Sequence, residues 1–514
     1  MNKTIIIFIV ATLLAVLIIG ERVIMNSNNE FSTLKVAFPS SQKIEKYEPT
    51  QISLDYEYIL LENIYSPLVE INRDGFIESG VAEKYEWVGD ELKLTIRKSL
   101  STLSGKRITP DDVLFSLKRL LILSGNTHGN FKDIVCPSFQ LKSLNEPCEG
   151  IRADEDAVYL KAKGGKSFLL QMISSIDFAI IPKHSVDLDT LKIKDYSETS
   201  GVYAFDKQDA DGKIYLKINK HHYYYSDKIA QEIVFVPTDI NVKGDGLRML
   251  KMGIVDHVTT IDQSRADETV EFANQNKDKF NSHFTQKIRT SYALFSERGL
   301  KEFSPEERRY IGEKIKISLS EAYKNNKGLE PRSEFFPPLS EGGLTEPQKK
   351  ELEIIKNKQA KSINKTVRIG MLKKGDLHEW STPILAALPT ADCYREDNAP
   401  AFKKYKSVED EPHVFIASTD TGFLEDISLT SYALNAGQMG LSKQDRVKWL
   451  ADYMSNDDKN YRVDKLKKLH FNSLAEPVLV PLMSSPYTAL VRKPWKIELS
   501  ELYANNQLWR IKHD

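Results

Sequence analysis

The sequence has few cysteines and almost no net charge. Its 514 residues include three cysteines, too few for a fold held together by disulfides. Lys and Arg total 71 against 72 for Asp and Glu, so the basic excess typical of a general nucleic-acid binder is missing, and we expect no nucleic-acid partner. Hydrophobic residues make up 41% of the chain, which excludes a disordered chain. The composition therefore indicates a large globular protein of about three domains.

Catalytic and metal-binding motifs are also missing. The chain contains no HExxH, GxSxG, CxxC or GxGxxG sequence. Residues 164–167 resemble the end of a phosphate-binding loop, but Leu160 stands where that motif needs its first glycine. Residues 209–212 resemble part of a calcium loop, but Lys207 and Ile218 occupy its first and last ligand positions. We therefore expect no cofactor, no metal site and no enzymatic activity.

One stretch near the N-terminus is apolar enough to cross a membrane. A lysine at position 3 precedes residues 4–20, which carry no charge. This pattern is typical of either a secretory signal or a short membrane anchor. Cleavage after Gly20 would place Ile18 at the −3 position, where a small residue is preferred, so the pattern favours an uncleaved anchor in the cytoplasmic membrane. Both interpretations predict that the rest of the chain is periplasmic or otherwise extracytoplasmic.

An extracytoplasmic location permits a disulfide. Cys136 and Cys148 flank a short loop with two prolines, and the sequence leaves open whether the two are bonded. If they are, the chain-entropy model gives the bond a stabilising effect of about 3 kcal/mol. Cys393 is then left over, and we interpret it as a small buried hydrophobic residue.

Several segments have clear secondary-structure patterns. Thr109 followed by Pro110 and two acids predicts the start of a helix. Ser304 begins a capping box and predicts a second helix, which extends to about residue 322. Residues 92–97 alternate apolar and polar side chains, as a half-buried strand does. Residues 266–282 are polar and charged, and this change in composition indicates a domain boundary near residue 265.

Five segments occur in an order known from other proteins. Residues 62–120 run from an acidic-Gly hairpin through a strand ending in Ile-Arg-Lys to a helix that begins Asp-Asp-Val. Residues 150–185, 197–205 and 247–258 and the C-terminal strands follow in matching order. Together these segments resemble the family 5 extracellular solute-binding proteins, the receptors of dipeptide, oligopeptide and nickel ABC importers. The match is closest to the oligopeptide-binding branch and covers about residues 30–514.

The resemblance implies an α/β fold of two lobes with mixed β-sheets and a third subdomain inserted in lobe I. Two crossings of the chain between the lobes would form a hinge, so the lobes are expected to close on a ligand. The implied division is residues 1–29 for the signal peptide or anchor, 30–60 with 190–265 and 478–514 for lobe I, 61–189 for the inserted subdomain and 266–477 for lobe II.

The resemblance also implies where a peptide would be held. Peptide-binding members place an aspartate after a strand of lobe II, where it pairs with the α-amino group of the ligand. One register of residues 415–432 puts Gly422 at that position. Asp420 lies two residues earlier, on the same face of an extended strand, and is the candidate replacement. Ser418 and Thr419 stand where the family has a tryptophan before the aspartate, so they are the adjacent candidates.

Three further residues are candidates for the wall of the cleft. Arg395 is suited to pair with a carboxylate, and Tyr394 and Trp380 to pack against the ligand. The alternative for each of the three is a solvated surface position.

The leading functional interpretation is a monomeric receptor that binds a peptide or another small solute. It would close on the ligand and deliver it to the permease subunits of an ABC importer. The alternative is a membrane-anchored sensory or regulatory module that binds a ligand without transport.

Overall fold

The structure is a computed structural model, and it contains α-helices and β-strands in similar measure. It describes residues 32–52, 55–124, 129–136, 141–162, 166–239, 242, 244–260, 266–337, 340–356, 361–372, 377–396, 405–419, 439, 441–456, 458–502 and 506–513. The strands are β1 Thr33–Phe38, β2 Val69–Ile71, β3 Ile77–Ser79, β4 Ala82–Val88, β5 Glu91–Ile96, β6 Ile151–Ala153, β7 Ala157–Lys161, β8 Tyr203–Gln208, β9 Ile214–Ile218, β10 Glu232–Pro237, β11 His257–Thr260, β12 Phe280–Phe284, β13 Arg289–Phe295, β14 Glu330–Pro331, β15 Val367–Leu372, β16 Ala391–Glu396, β17 Val414–Thr419, β18 Leu479–Ser485, β19 Thr488–Arg492, β20 Lys496–Ile497 and β21 Ile511–Lys512. The α-helices are α1 Asp55–Ile64, α2 Pro110–Leu123, α3 Gly129–Val135, α4 Lys166–Met172, α5 Asp245–Lys251, α6 Ala266–Gln275, α7 Glu297–Glu302, α8 Pro305–Ala322, α9 Glu346–Lys356, α10 Ser381–Ala387, α11 Lys443–Ser455 and α12 Lys459–Ala475.

Three large sheets organise these elements. The first has seven strands in the order β12-β19-β11-β1-β10-β9-β8, and the second has six in the order β14-β18-β13-β17-β15-β16. Both are mixed, because β1 runs parallel to β10 and β11, and β15 runs parallel to β16 and β17. The third sheet, β4-β5-β7-β6, is antiparallel and lies within residues 61–189. We call the parts built on these sheets lobe I, lobe II and the subdomain, and the predicted mixed α/β fold is confirmed.

Two helices begin as the sequence predicts. Thr109 accepts a hydrogen bond from the Asp112 amide and donates its own amide hydrogen to the Asp112 carboxylate, so the first turn of α2 has a complete capping box. Ser304 and Glu307 form the same reciprocal pair at the start of α8. These caps satisfy backbone donors that a helix leaves free at its N-terminus.

The chain crosses between lobes I and II later than the sequence predicts. β12 belongs to the lobe I sheet and β13 to the lobe II sheet, so the first crossing is at residues 285–288. β18 belongs to lobe II and β19 to lobe I, so the return crossing is at residues 486–487. The predicted boundaries at 265 and 478 both lie earlier. The polar run after residue 265 is the exposed face of α6, while the opposite face of that helix packs on the core of lobe I.

The apolar N-terminal run, residues 4–20, lies outside the described residues. Of the helices that the structure does describe, none is long and apolar enough to span a membrane.

The structure joins Cys136 and Cys148 in a disulfide, with their Cα atoms 5.3 Å apart. This separation is within the normal range for disulfides. The bond ties the end of α3 to the segment that leads into β6. Cys393 is a free, half-buried thiol on β16, and burial raises its pKa to about 11.

Candidate functional site

The two segments that cross between the lobes lie side by side. The Thr285 amide donates to the Tyr487 carbonyl at 3.0 Å, and the Tyr487 amide donates to Thr285 Oγ1 at 2.8 Å. Both residues are buried. Because the two crossings are neighbours, rotation about them would move one lobe against the other without breaking either sheet, which is the geometry of a hinge.

A cluster of hydroxyl side chains lies beside this hinge. Thr419, Thr290 and Ser484 are in register across β17, β13 and β18, and the next pair along β17 and β13 is Ser418 with Ser291. These positions are the ends of strands whose other residues are mostly apolar and buried. The hydroxyl cluster, as we call it, consists of Thr290, Ser291, Ser418, Thr419, Ser484 and Ser485 in lobe II and Thr488 in lobe I.

Three members of the hydroxyl cluster are buried without a protein hydrogen bond to their side chains. They are Thr290, Ser485 and Thr488, each about 1% exposed, and their hydroxyl oxygens have no partner among the residues that the structure describes. Buried hydroxyls in folded proteins are nearly always hydrogen-bonded, since an unsatisfied one costs about 1–3 kcal/mol. Three such groups thus lie together beside the hinge, where a rotation of the lobes would change their surroundings.

A buried positive charge accompanies these hydroxyls. Arg289 is the first residue of β13, lies opposite Ser485 in the strand pairing, and is 3% exposed. Hydroxyl groups both donate and accept hydrogen bonds, whereas a guanidinium only donates. The hinge end of the lobe II sheet thus combines groups that donate and accept hydrogen bonds with a cationic group.

The structure brings two of the sequence-predicted residues into this cluster. Ser418 and Thr419 end β17 and are half-buried beside Ser291 and Thr290. Asp420 follows Thr419 directly in the sequence but lies outside the described residues.

Tyr394 and Arg395 lie on the edge strand of the same sheet. They pair with Gly370 and Met371 of β15, which separates them from β17. Because β15, β16 and β17 are parallel, all three strands end towards the hydroxyl cluster. The ring of Tyr394 lies 5.1 Å from the Arg368 guanidinium.

Trp380 was considered for the wall of the cleft or for a solvated surface, and the structure places it in the interior of lobe II. It has no exposed surface and belongs to the core of lobe II, with its ring 6.1 Å from that of Tyr323. The short 3-10 helix Leu377–Trp380 leads directly into α10 and directs the indole inwards. Trp380 is therefore buried in the core of lobe II and is not at a solvated surface.

Sequence reasoning missed the buried hydroxyls. A signal was present, since Thr290-Ser291 and Ser484-Ser485 are polar pairs at the ends of otherwise apolar strands. In isolation such pairs are indistinguishable from strand ends exposed to solvent. Their burial follows from the two strands meeting beside the hinge, which is a tertiary property.

One serine–histidine pair has the wrong hydrogen bonding for catalysis. Ser66 Oγ lies 3.1 Å from His222 Nε2, and His222 Nδ1 accepts a hydrogen bond from the Tyr224 amide. The proton of the neutral ring is therefore on Nε2, which must donate to Ser66 and is unable to accept its proton. Burial lowers the His222 pKa to about 3, so the ring is neutral. Both side chains are buried and serve the fold.

Acidic, histidine and cysteine side chains do not gather into a metal site in the part of the chain that is described, where no three of them are suitably placed.

Solved structures with the same fold cover almost the whole chain. The murein tripeptide binding protein MppA of Escherichia coli aligns with a TM-score of 0.70 and 14% identity over 94% of this chain and 98% of its own. OppA of Haemophilus influenzae, solved in complex with the peptide RPPGFSPFR, gives 0.72 and 14% over 94% and 99%. NikA of Staphylococcus aureus, in complex with Ni(L-His)2, gives 0.67 and 14% over 94% and 100%.

No protein-family model and no curated protein sequence matches the chain. The likeness to known proteins is therefore one of fold, and the two-lobe arrangement inferred from the sequence is confirmed by it.

Proposed function

We propose that this chain, which has the fold of the family 5 solute-binding proteins, is an extracytoplasmic receptor that closes on a small solute. The ligand would be a peptide, delivered to the permease subunits of an ABC importer by a monomeric receptor. The observation that carries the proposal is the two-segment hinge between two mixed sheets, with a cluster of hydroxyl side chains beside it. Proteins of the same fold bind a murein tripeptide and the peptide RPPGFSPFR, which supports the ligand class.

The chemistry of the hydroxyl cluster suits the amide groups of a peptide. Each amide carries a donor and an acceptor, and hydroxyls such as those of the half-buried Ser418 and Thr419 provide either. A buried peptide also brings an α-ammonium group, and an unpaired buried charge costs several kcal/mol. We assign that charge to Asp420, since Thr419, the residue before it, ends β17 within the cluster. Arg395, on a strand that ends in the same direction, is the proposed partner of the peptide carboxylate, and Tyr394 is proposed to line the cleft.

The first test is to identify what the protein binds. Small molecules released by acid from natively purified protein are identified by mass spectrometry, and a tryptic digest of casein is titrated into ligand-free protein by calorimetry. We expect peptides in both experiments. If peptides neither co-purify nor bind while another solute does, the peptide assignment is wrong and the receptor serves that solute.

The second test concerns Asp420. Asp420→Asn should weaken binding of the casein digest by roughly 2–5 kcal/mol, because it removes one partner of a buried ion pair. A digest with acetylated N-termini should bind the wild type weakly and be insensitive to the substitution. The matched control is Asp392→Asn, an exposed aspartate on the same sheet, which should leave binding unchanged. Equal affinity of wild type and Asp420→Asn for the free digest would remove Asp420 from the site.

We also propose that residues 4–20 keep the protein on the cytoplasmic membrane, because the run is long and uncharged and lacks a good cleavage site. The intact mass of the native protein tests this. A mature N-terminus between residues 20 and 30 would identify the segment as a cleaved signal peptide.

A further inference from the structure

An aromatic side chain of the subdomain packs against lobe II, within a cluster of buried apolar residues from both parts. Phe168, on α4 of the subdomain, lies against Tyr453, on α11 of lobe II, with ring centroids 5.3 Å apart and planes at 34°. The guanidinium of Arg462, on α12, lies 4.9 Å from the centre of the Phe168 ring. Phe168 thus contacts both an aromatic ring and a cation of lobe II.

The two lobe II side chains that contact Phe168 are themselves held in place by other residues of lobe II. Trp449 stacks on Tyr453 at 4.9 Å and 16°, one helical turn away on α11. Arg462 Nη1 donates a hydrogen bond to the Asn456 carbonyl at 2.8 Å, which fixes the guanidinium. Phe168 has no exposed surface, and Tyr453 and Arg462 are 4% and 5% exposed. The contact therefore excludes water as a protein core does.

The Phe168–Tyr453 contact joins two parts of the chain that the hinge separates. Phe168 precedes the first crossing at residues 285–288, and Tyr453 lies between the two crossings. Hydrogen bonds from Thr102 to Glu198 and from Arg119 to Glu48 tie the subdomain to lobe I, so a rotation that parts the lobes would also draw the subdomain away from lobe II. It would expose the Phe168 and Tyr453 rings to water, and this exposure is unfavourable.

We propose that Phe168 is a latch that stabilises the closed arrangement of the lobes independently of any ligand. The proposal rests on the opening and closing of the proposed receptor but not on the identity of its ligand. Because the latch favours the closed state, it sets how much of the empty protein is closed and how readily a bound ligand leaves.

The experiment measures the distance between the subdomain and lobe II in ligand-free protein. Spin labels are placed by Lys84→Cys in the subdomain and Lys324→Cys in lobe II, whose side chains are 63% and 64% exposed. Cys393→Ser removes the free thiol, and Cys136 and Cys148 are bonded. Pulsed electron paramagnetic resonance then gives the distribution of distances. Phe168→Ala should lower the ratio of short to long distances by roughly tenfold, as expected for the loss of one buried aromatic contact.

Two further variants keep the test decisive. Phe131→Ala removes an equally buried ring that packs on Phe178 within the subdomain, and it should leave the distances unchanged. Tyr453→Ala removes the lobe II side of the latch and should lower the ratio of short to long distances as Phe168→Ala does. If Phe168→Ala does not fold, Tyr453→Ala still tests the latch. Wild-type distances in folded Phe168→Ala or Tyr453→Ala would overturn the latch. That outcome would leave the receptor proposal intact, since peptide binding is measured separately.

Discussion

Glu70 is a fully buried carboxylate whose hydrogen-bond partners include two tyrosine hydroxyls. Tyr223 donates to Oε1 at 2.6 Å and Tyr224 to Oε2 at 3.1 Å. Burial raises the Glu70 pKa from 4.5 to about 7, and the Tyr223 hydrogen bond and the Arg510 charge offset part of this rise. The residue therefore titrates near neutral pH, far above an exposed glutamate.

This pKa predicts a pH-dependent loss of stability. Between pH 4.5 and 7 the unfolded chain releases the Glu70 proton while the folded chain retains it, so a rise in pH favours the unfolded state. The contribution of the Glu70 proton to the free energy of unfolding is fully present below pH 4.5. It falls as the pH rises and is lost once the pH has passed 7, a change on the order of 3 kcal/mol. Glu70→Gln has no proton to release. Its free energy of unfolding relative to wild type should therefore rise from pH 5 to pH 8 in urea titrations.

Tyr223→Phe provides the complementary variant, because it removes a donor to the carboxylate and raises the Glu70 pKa further. The loss of stability should then extend to higher pH than in the wild type. Parallel pH profiles for Glu70→Gln and wild type would show that Glu70 does not titrate in this range.

Elements governed by their own sequence are predictable from it. The capping boxes at Thr109 and Ser304 satisfy donors within one turn, so three or four residues determine where α2 and α8 begin. The strand at 92–97 follows from alternation alone, and the structure has β5 at Glu91–Ile96. The membership of β12 in lobe I is different in kind. This membership depends on pairing with β19, about two hundred residues later in the chain. The polar sequence of α6, just before β12, led to a predicted boundary that is too early.

The candidate site divides in the same way. Ser418 and Thr419 were predicted because a family pattern placed them after a lobe II strand. Thr290 and Thr488 were not, since their burial arises where segments distant in the sequence meet at the hinge. Trp380 shows the reverse, because burial of this large aromatic residue in the core of lobe II could not be told from its type. The type of a residue predicts which interactions its side chain can make, while its burial decides which partners it can reach.

On the scale of the whole molecule, the hinge and the latch both affect the rotation of one lobe against the other, from different parts of the structure. Thr285 and Tyr487 hold the crossing segments together, so the lobes pivot there without coming apart. Phe168 contacts lobe II through the subdomain, at elements separate from the crossings. The hydroxyl cluster lies at the pivot, where closure can surround a bound molecule with groups from both lobes.

This arrangement predicts that ligand makes the protein more compact. Small-angle X-ray scattering should give a smaller radius of gyration with a saturating casein digest than without it, because bound peptide favours the closed state. Phe168→Ala should enlarge the difference, since its empty form opens further while its bound form closes as before. Phe131→Ala should show the wild-type difference. A radius that stays constant while calorimetry shows saturation would mean that peptide binds without closure, and it would count against a closing receptor.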